Sequence, residues 1–140
     1  MIGINNLTVF RIEEKFLKKV ARKVLTIENR KLNELSIALV EPKRIKELNK
    51  KYRKKNKITD ILSFKYNNNS GEIVICPEVV KKNSKKFCLT FKKELTRALI
   101  HGILHLLGYD HEKSKRESKK MEKKENYYFS KILNSCPEVT

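Results

Sequence analysis

Apolar residues recur along this chain with two different periods, and the switches between them lay out its elements. Residues 2 to 6 predict a short first strand. From about Val9 to Leu25 the apolar positions Ile12, Phe16, Val20 and Val24 fall four apart, with Leu17 and Ala21 beside them. That is the stripe of an amphipathic helix. LSIALV, residues 35 to 40, reads as a strand. Pro42 then opens a short helix running to about Lys51, because a first-turn proline lacks only an N–H that the helix would leave unpaired. DILSF (60 to 64) and EIVIC (72 to 76) are β-rich runs. KYNNNSG joins them, and its Asn and Gly residues supply turn chemistry, so the pair predicts a hairpin.

Pro77 can begin another short helix. A longer helical pattern runs from Thr90 to Leu107 through Phe91, Leu95, Leu99 and Ile103. Gly108 stands where a helix commonly stops with a left-handed residue. Ser114 and Glu117 have capping-box spacing. They start a last helix with Met121, Tyr128 and Ile132 on one side and Phe129 and Leu133 adjacent. The predicted order is β-α-β-α-β-β-α-α-α. It implies an α+β or α/β class, of which α+β is the expectation adopted, with a small sheet of about four strands and helices packed on it.

Length and composition narrow this picture. The chain has 140 residues, no internal repeat and no Pro/Gly/Ser-rich linker, which predicts one domain over 1–140. With 39% apolar and 35% charged residues it reads as soluble and globular. No apolar run approaches the ~20 residues needed to span a bilayer. MIGINNLTVF lacks the basic and apolar regions of a signal peptide, so the expected location is the cytoplasm. Cys76, Cys88 and Cys136 are odd in number, widely spaced and form no C-x-x-C pair. They read as ordinary thiols of a reducing compartment. Neither a membrane nor a dinucleotide cofactor is expected as a partner.

The formal net charge of +17 changes the picture more. Basic residues concentrate at Lys43 to Lys57, Lys81 to Lys93 and Lys113 to Lys124. Such a field attracts phosphate backbones. A lysine- and asparagine-rich proteome that merely solvates its surfaces would look the same, so charge alone does not decide for nucleic acid.

All 3 histidines of the chain fall in HGILHLLGYDH, at His101, His105 and His111. His101 and His105 are about one helical turn apart, so their imidazoles share a face. Gly108 lets the chain reverse, and His111 can return to the same point. Three neutral imidazoles with an open position form the ligand set of a catalytic zinc site. The spacing matches the zincin pattern H-E-x-x-H-x-x-G-x-x-H, and the segment is read as a zincin-like metal helix. Gly102, however, stands where a zincin has the glutamate that acts as general base. That counts against a peptidase. Asp110 can serve as a fourth ligand or, as favoured here, orient a histidine from behind. Tyr109 either stacks on a base or packs with its hydroxyl satisfied.

HGILHLLGYDH resembles the signature of the YbeY-type endoribonucleases, bacterial rRNA maturation factors. LNKKYRKKNKITDILSF (48 to 64) is similar to the family's LN-x-x-YRGKD-x-PTDVLSF, GEIVIC (71 to 76) to its GDIVI strand, and FKKEL (91 to 95) to the approach to its metal helix. The blocks follow in family order and cover essentially the whole chain. Lys54 replaces the usual glycine, Asn56 and Glu72 the usual aspartates, and Ile58 the usual proline; Lys65 stands where a proline often follows.

The resemblance implies a small mixed sheet flanked by helices, and one Zn²⁺ per chain on His101, His105 and His111. It implies a single-strand-specific endoribonuclease acting on rRNA, in processing of the small-subunit rRNA 3′ end and in ribosome quality control, with the ribosomal small subunit as partner. Arg53 matches the family's functional arginine, so Arg53, His101, His105 and His111 are the expected catalytic set. Lys54, Lys55, Lys57, Lys115 and Arg116 are candidate RNA contacts. The ion would polarise a phosphoryl oxygen or acidify a water, and attack by the RNA's own 2′-OH stays open beside attack by water. The alternative is a non-catalytic RNA- or ribosome-binding factor with a structural zinc.

Overall fold

A computed structural model describes residues 1–135. Its elements are β1 (Ile2–Asn6), α1 (Glu14–Ile27), β2 (Glu34–Leu39), α2 (Pro42–Arg53), β3 (Ile61–Asn67), β4 (Ser70–Ile75), α3 (Pro77–Lys86), α4 (Phe91–Leu106) and α5 (Lys115–Ser135). This is the order the hydrophobic pattern predicts. The strands form one four-stranded mixed sheet in the order β1-β2-β4-β3. β1, β2 and β4 run parallel, so Ile4, Ile37 and Ile73 lie in line across three strands. β3 folds back antiparallel on β4, setting Ser63 beside Ile73. The fold is a single α+β domain of the expected class.

Period-two burial explains the sheet's position. Leu35, Ile37 and Leu39 of β2 are buried and turn to one face. There they meet the stripe Phe16, Leu17, Val20, Ala21 and Val24 of α1 together with Leu95, Leu99 and Ile103 of α4. Met121, Tyr128 and Ile132 of α5 close this core, as their helical spacing requires. On the opposite face Val74 and Leu62 form a second, smaller cluster with Ile45 of α2. β4 therefore buries residues on both faces, which explains why EIVIC reads as a continuous apolar run.

Several boundaries differ from expectation. α1 begins at Glu14 rather than Val9. Side chains capture the preceding residues: Asn6 Oδ1 accepts the Thr8 N–H and hydroxyl at 3.0 and 2.7 Å, and Asn6 Nδ2 donates to the Phe10 carbonyl at 2.8 Å. Asn and Thr hydrogen-bond nearby backbone and so compete with helix formation. α2 runs on to Arg53, where Lys54 closes it in the left-handed region at φ 57°. The hairpin strands reach into KYNNNSG as far as Asn67 and Ser70, leaving Asn68 and Asn69 as the turn. At the start of α5 the Ser114 hydroxyl accepts the Glu117 N–H at 3.1 Å, the first half of the predicted box. Cys76 is buried and Cys88 exposed, both as free thiols. Cys136 lies outside the described residues.

Candidate active site

α4 is the helix on which the site is built. Most of its faces are buried, and at Gly102 it packs closely on β3. A Cβ added to Gly102 would stand 2.6 Å from Ile61 Cδ1 and 3.2 Å from Ser63 Oγ. The Ser63 hydroxyl donates to the Gly102 carbonyl at 2.8 Å. Hence the position that carries the base in a zincin is here a packing contact, with no room for a glutamate.

The helix stops at Leu106, and Gly108 takes φ +104°, which L side chains rarely adopt. Tyr109 N–H donates back to the Leu104 carbonyl at 3.0 Å. His111 thus returns over the end of α4. The three imidazoles are mutual neighbours, with ring centroids 4.7, 5.1 and 4.8 Å apart. One nitrogen from each of His101, His105 and His111 lies within 4.8 Å of the other two. The closest pair is His105 Nε2 and His111 Nδ1 at 2.9 Å. Burial and the neighbouring His101 and His111 push His105 down to about 4. Three imidazoles held this close, with His105 kept neutral, offer lone pairs to a single cation, and the donor set fits a metal ion.

His101 has a further partner. Its Nδ1 lies 2.9 Å from Glu125 Oε1 on α5. A carboxylate only accepts, so Nδ1 carries the proton and Nε2 keeps its lone pair. Glu125 is a residue the sequence reading passed over. Its signal is its position: four residues after Met121 and three before Tyr128, a charge on the buried stripe of α5. Asp110, expected in this orienting role, lines the cleft and its charge favours protonated His105. Its Oδ1 accepts the Glu112 N–H at 2.9 Å.

The histidines open onto a cleft of about 640 Å³. Arg53, Lys55 and Lys57 also line it. Arg53 Nη2 donates to the Ser63 carbonyl at 2.6 Å, and its charge disfavours protonation of His105. The loop after Arg53 is fastened by Asn49, which is buried. Asn49 Nδ2 donates to the Lys57 carbonyl at 3.0 Å, and its own carbonyl accepts the Lys54 and Lys55 N–H groups. The left-handed turn at Lys54 gives a reason for glycine at that position of the family motif. Lys55 also reaches Glu112 across the cleft at 3.8 Å. Lys54, Lys115 and Arg116 are exposed but are not part of the cleft wall.

Tyr109 takes the second of its two expected roles. Its hydroxyl donates to Glu28 Oε1 at 2.8 Å, and Lys120 sits 5.6 Å from its ring centroid. Glu28, just past α1, also accepts from Lys124 at 2.9 Å and from the Tyr128 hydroxyl. Burial pushes the Glu28 carboxyl up, yet the three donors together hold it below its ordinary value. Tyr109 and Tyr128 are pushed up, by burial first and by that carboxylate second.

Similarity to known proteins agrees with this geometry. Residues 4–133 match the family model for Endoribonuclease YbeY. The Endoribonuclease YbeY of Thermodesulfovibrio yellowstonii is 43% identical over 131 residues, covering 89% of this chain and 79% of that protein. The Endoribonuclease YbeY of Buchnera aphidicola is 43% identical over 122 residues, covering 82% and 73%. The solution structure of TM1509 from Thermotoga maritima superposes with a TM-score of 0.72 at 33% identity, over 99% of this chain and 93% of that one. The chain belongs to the YbeY family of endoribonucleases.

Proposed function

We propose that this endoribonuclease uses one Zn²⁺ held by His101, His105 and His111 to cut single-stranded rRNA, in maturation of the small-subunit rRNA 3′ end and in ribosome quality control. The observation that carries the reading is the convergence of three imidazole nitrogens within 4.8 Å in a cleft that Arg53, Lys55 and Lys57 also line. A set of three leaves a coordination position open, as catalytic zinc sites do, whereas structural sites are usually closed by four protein ligands.

When bound, zinc supplies Lewis acidity, acting on a phosphoryl oxygen or on a water. The protein's own groups do the rest. Glu125 fixes the His101 tautomer by accepting from Nδ1. One Arg53 N–H is committed to the Ser63 carbonyl, which aims the remaining donors of the guanidinium. Those donors suit two phosphate oxygens as charge builds on them. Lys55 and Lys57 favour the RNA backbone in the same cleft. With glycine at 102 in place of the zincin's glutamate, water activation rests on the ion, or the RNA's own 2′-OH attacks. Among the described residues no helix is long and apolar enough to cross a membrane, and the proposed site of action is the cytoplasm, on the small subunit.

The test is cleavage of an end-labelled single-stranded RNA by the parent chain and by His105→Ala, purified in parallel, with and without a chelator. Cutting by the parent alone, lost to chelator and restored by Zn²⁺, is the expected result. A 2′,3′-cyclic phosphate on the product would assign the nucleophile to the 2′-OH. Equal cutting by both proteins would mean contamination. If neither cuts while the parent retains one metal ion, the ion is structural.

A further inference from the structure

Tyr52 is 56% exposed on the last turn of α2, too much surface for a core aromatic. It is not among the residues packed in the cluster beneath α2, which Ile45, Leu62 and Val74 already close. Its ring meets Phe64 of β3 edge to face, with centroids 5.4 Å apart at 66°. The Arg53 guanidinium lies 5.9 Å from the centre of that same Phe64 ring. Arg53 in turn lines the histidine cleft. Tyr52, Phe64, Arg53 and the cleft therefore form one unbroken path. β3 is an edge strand, so no further strand of the sheet covers this corner.

We propose that Tyr52 is a stacking platform for an unpaired base, and that the aromatic corner Tyr52–Phe64 holds single-stranded RNA as it leaves the cleft past Arg53. This rests on the RNA-cleaving reading of the site. Charge argues for nucleic acid rather than a protein partner. The Lys51 ammonium lies 5.2 Å from the Tyr52 ring centre and the Arg53 guanidinium 5.9 Å from the Phe64 ring centre, while the one acid paired with Phe64 across the hairpin, Glu72, accepts from the Tyr66 hydroxyl. Cations beside exposed aromatic faces are how sequence-tolerant proteins hold single strands: the rings take the bases and the cations the phosphates. A base within a duplex cannot offer both faces to a side chain, so the corner also accounts for a single-strand preference.

Two other tyrosines do not share the role. Tyr109 is half-buried, and its hydroxyl is tied to Glu28. Tyr66 is more exposed, at 65%, but its hydroxyl donates to Glu72 at 2.7 Å. Phe87 is the useful control: it is 52% exposed and has Lys86 5.6 Å from its ring centre, but it sits at the end of α3, outside the contacts that join Tyr52 through Phe64 to Arg53.

The experiment measures binding by fluorescence anisotropy in the full chain carrying His105→Ala, which keeps the RNA intact. The probes are an oligoadenylate and an abasic strand of equal length. Tyr52→Ala is expected to weaken oligoadenylate binding about tenfold and abasic binding by less than about twofold. Tyr52→Phe should retain the parent's affinity, and Phe87→Ala should match the parent on both probes. A circular-dichroism melt on each variant checks folding; Tyr52→Leu repeats the test with an apolar residue that cannot stack. If the parent binds the abasic strand as tightly as oligoadenylate, or if Tyr52→Ala and Tyr52→Leu bind both like the parent, stacking is refuted. The exposed ring would then be left for a protein partner. If the parent binds neither strand, the RNA reading falls as well, a result distinct from the loss of stacking alone.

Discussion

His101 Nδ1–H donates to Glu125 Oε1 across 2.9 Å, joining α4 to α5 at one of the three clustered imidazoles. The bond spans 24 residues and fixes which ring nitrogen has a free lone pair. Carboxylates in this position typically hold a ligating ring in place and make it more basic. Glu125→Ala should weaken Zn²⁺ binding by about 10- to 100-fold. Glu125→Gln, which keeps an acceptor, should lose less. Competition against a zinc chelator reads both. Unchanged affinity in the alanine variant would mean that His101 is held by helix packing alone.

Gly102 bears on why this family does not work like a peptidase. The nearest obstacle to a Cβ there is Ile61 Cδ1 at 2.6 Å, the far end of a flexible side chain. Gly102→Ala should thus be nearly neutral, since a small shift of Ile61 is offset by the ~1 kcal/mol that alanine gains over glycine in a helix. Gly102→Glu forces a long polar chain against β3 and should cost about 1–3 kcal/mol, as overpacking does. Urea denaturation of the two variants, and of Gly102→Glu with Ile61→Ala, checks this. The double variant should recover part of the loss. None of the three should digest casein.

Glu28 gathers Tyr109, Tyr128 and Lys124 on one carboxylate and so ties the loop before His111 to α1 and α5. Its carboxyl is held below the ordinary 4.5 in the folded chain. The stability it contributes is therefore full above about pH 4.5, the unfolded value, and is lost as pH falls through the lower folded value. Glu28→Gln should cost about 1–3 kcal/mol at pH 7, as losing a charged hydrogen-bond partner does. The gap to the parent should close as pH drops below 4.5. Urea midpoints at pH 7, 5 and 3.5 would show it, and a constant gap would assign the loss to packing instead.

Local signals in the sequence account for the element order, the end of α4 at Gly108 and the histidine cluster, because periodicity, glycine and ligand spacing all act within a few residues. The start of α1 escaped this logic. The apolar stripe extends upstream through Ile12, but Asn6 and Thr8 hydrogen-bond that segment into a turn. Glu125 and Glu28 escaped for another reason. In a helix as charged as KKMEKKENYY, Glu125 looks solvated until the tertiary fold sets it against His101, and Glu28, just past α1, shows its role only once Tyr109, Tyr128 and Lys124 close on it. The zincin alignment correctly located a missing base at 102. What filled that position could only be learned from the contact with Ile61.

Arg53 completes the cleft. A lysine there would keep the charge but lose the planar fork, which presents a parallel pair of N–H donors to two phosphate oxygens while another N–H holds the Ser63 carbonyl. Arg53→Lys should leave the melting temperature nearly unchanged, because the side chain is exposed. It should lower kcat/KM on single-stranded RNA by about 100-fold, the scale on which a transition-state donor acts. Parallel kinetics on Lys55→Ala give the contrast: a contact made only by charge should raise KM and its salt dependence while sparing kcat. Near-parental turnover in Arg53→Lys would remove Arg53 from the chemistry and leave it as a brace between α2 and β3.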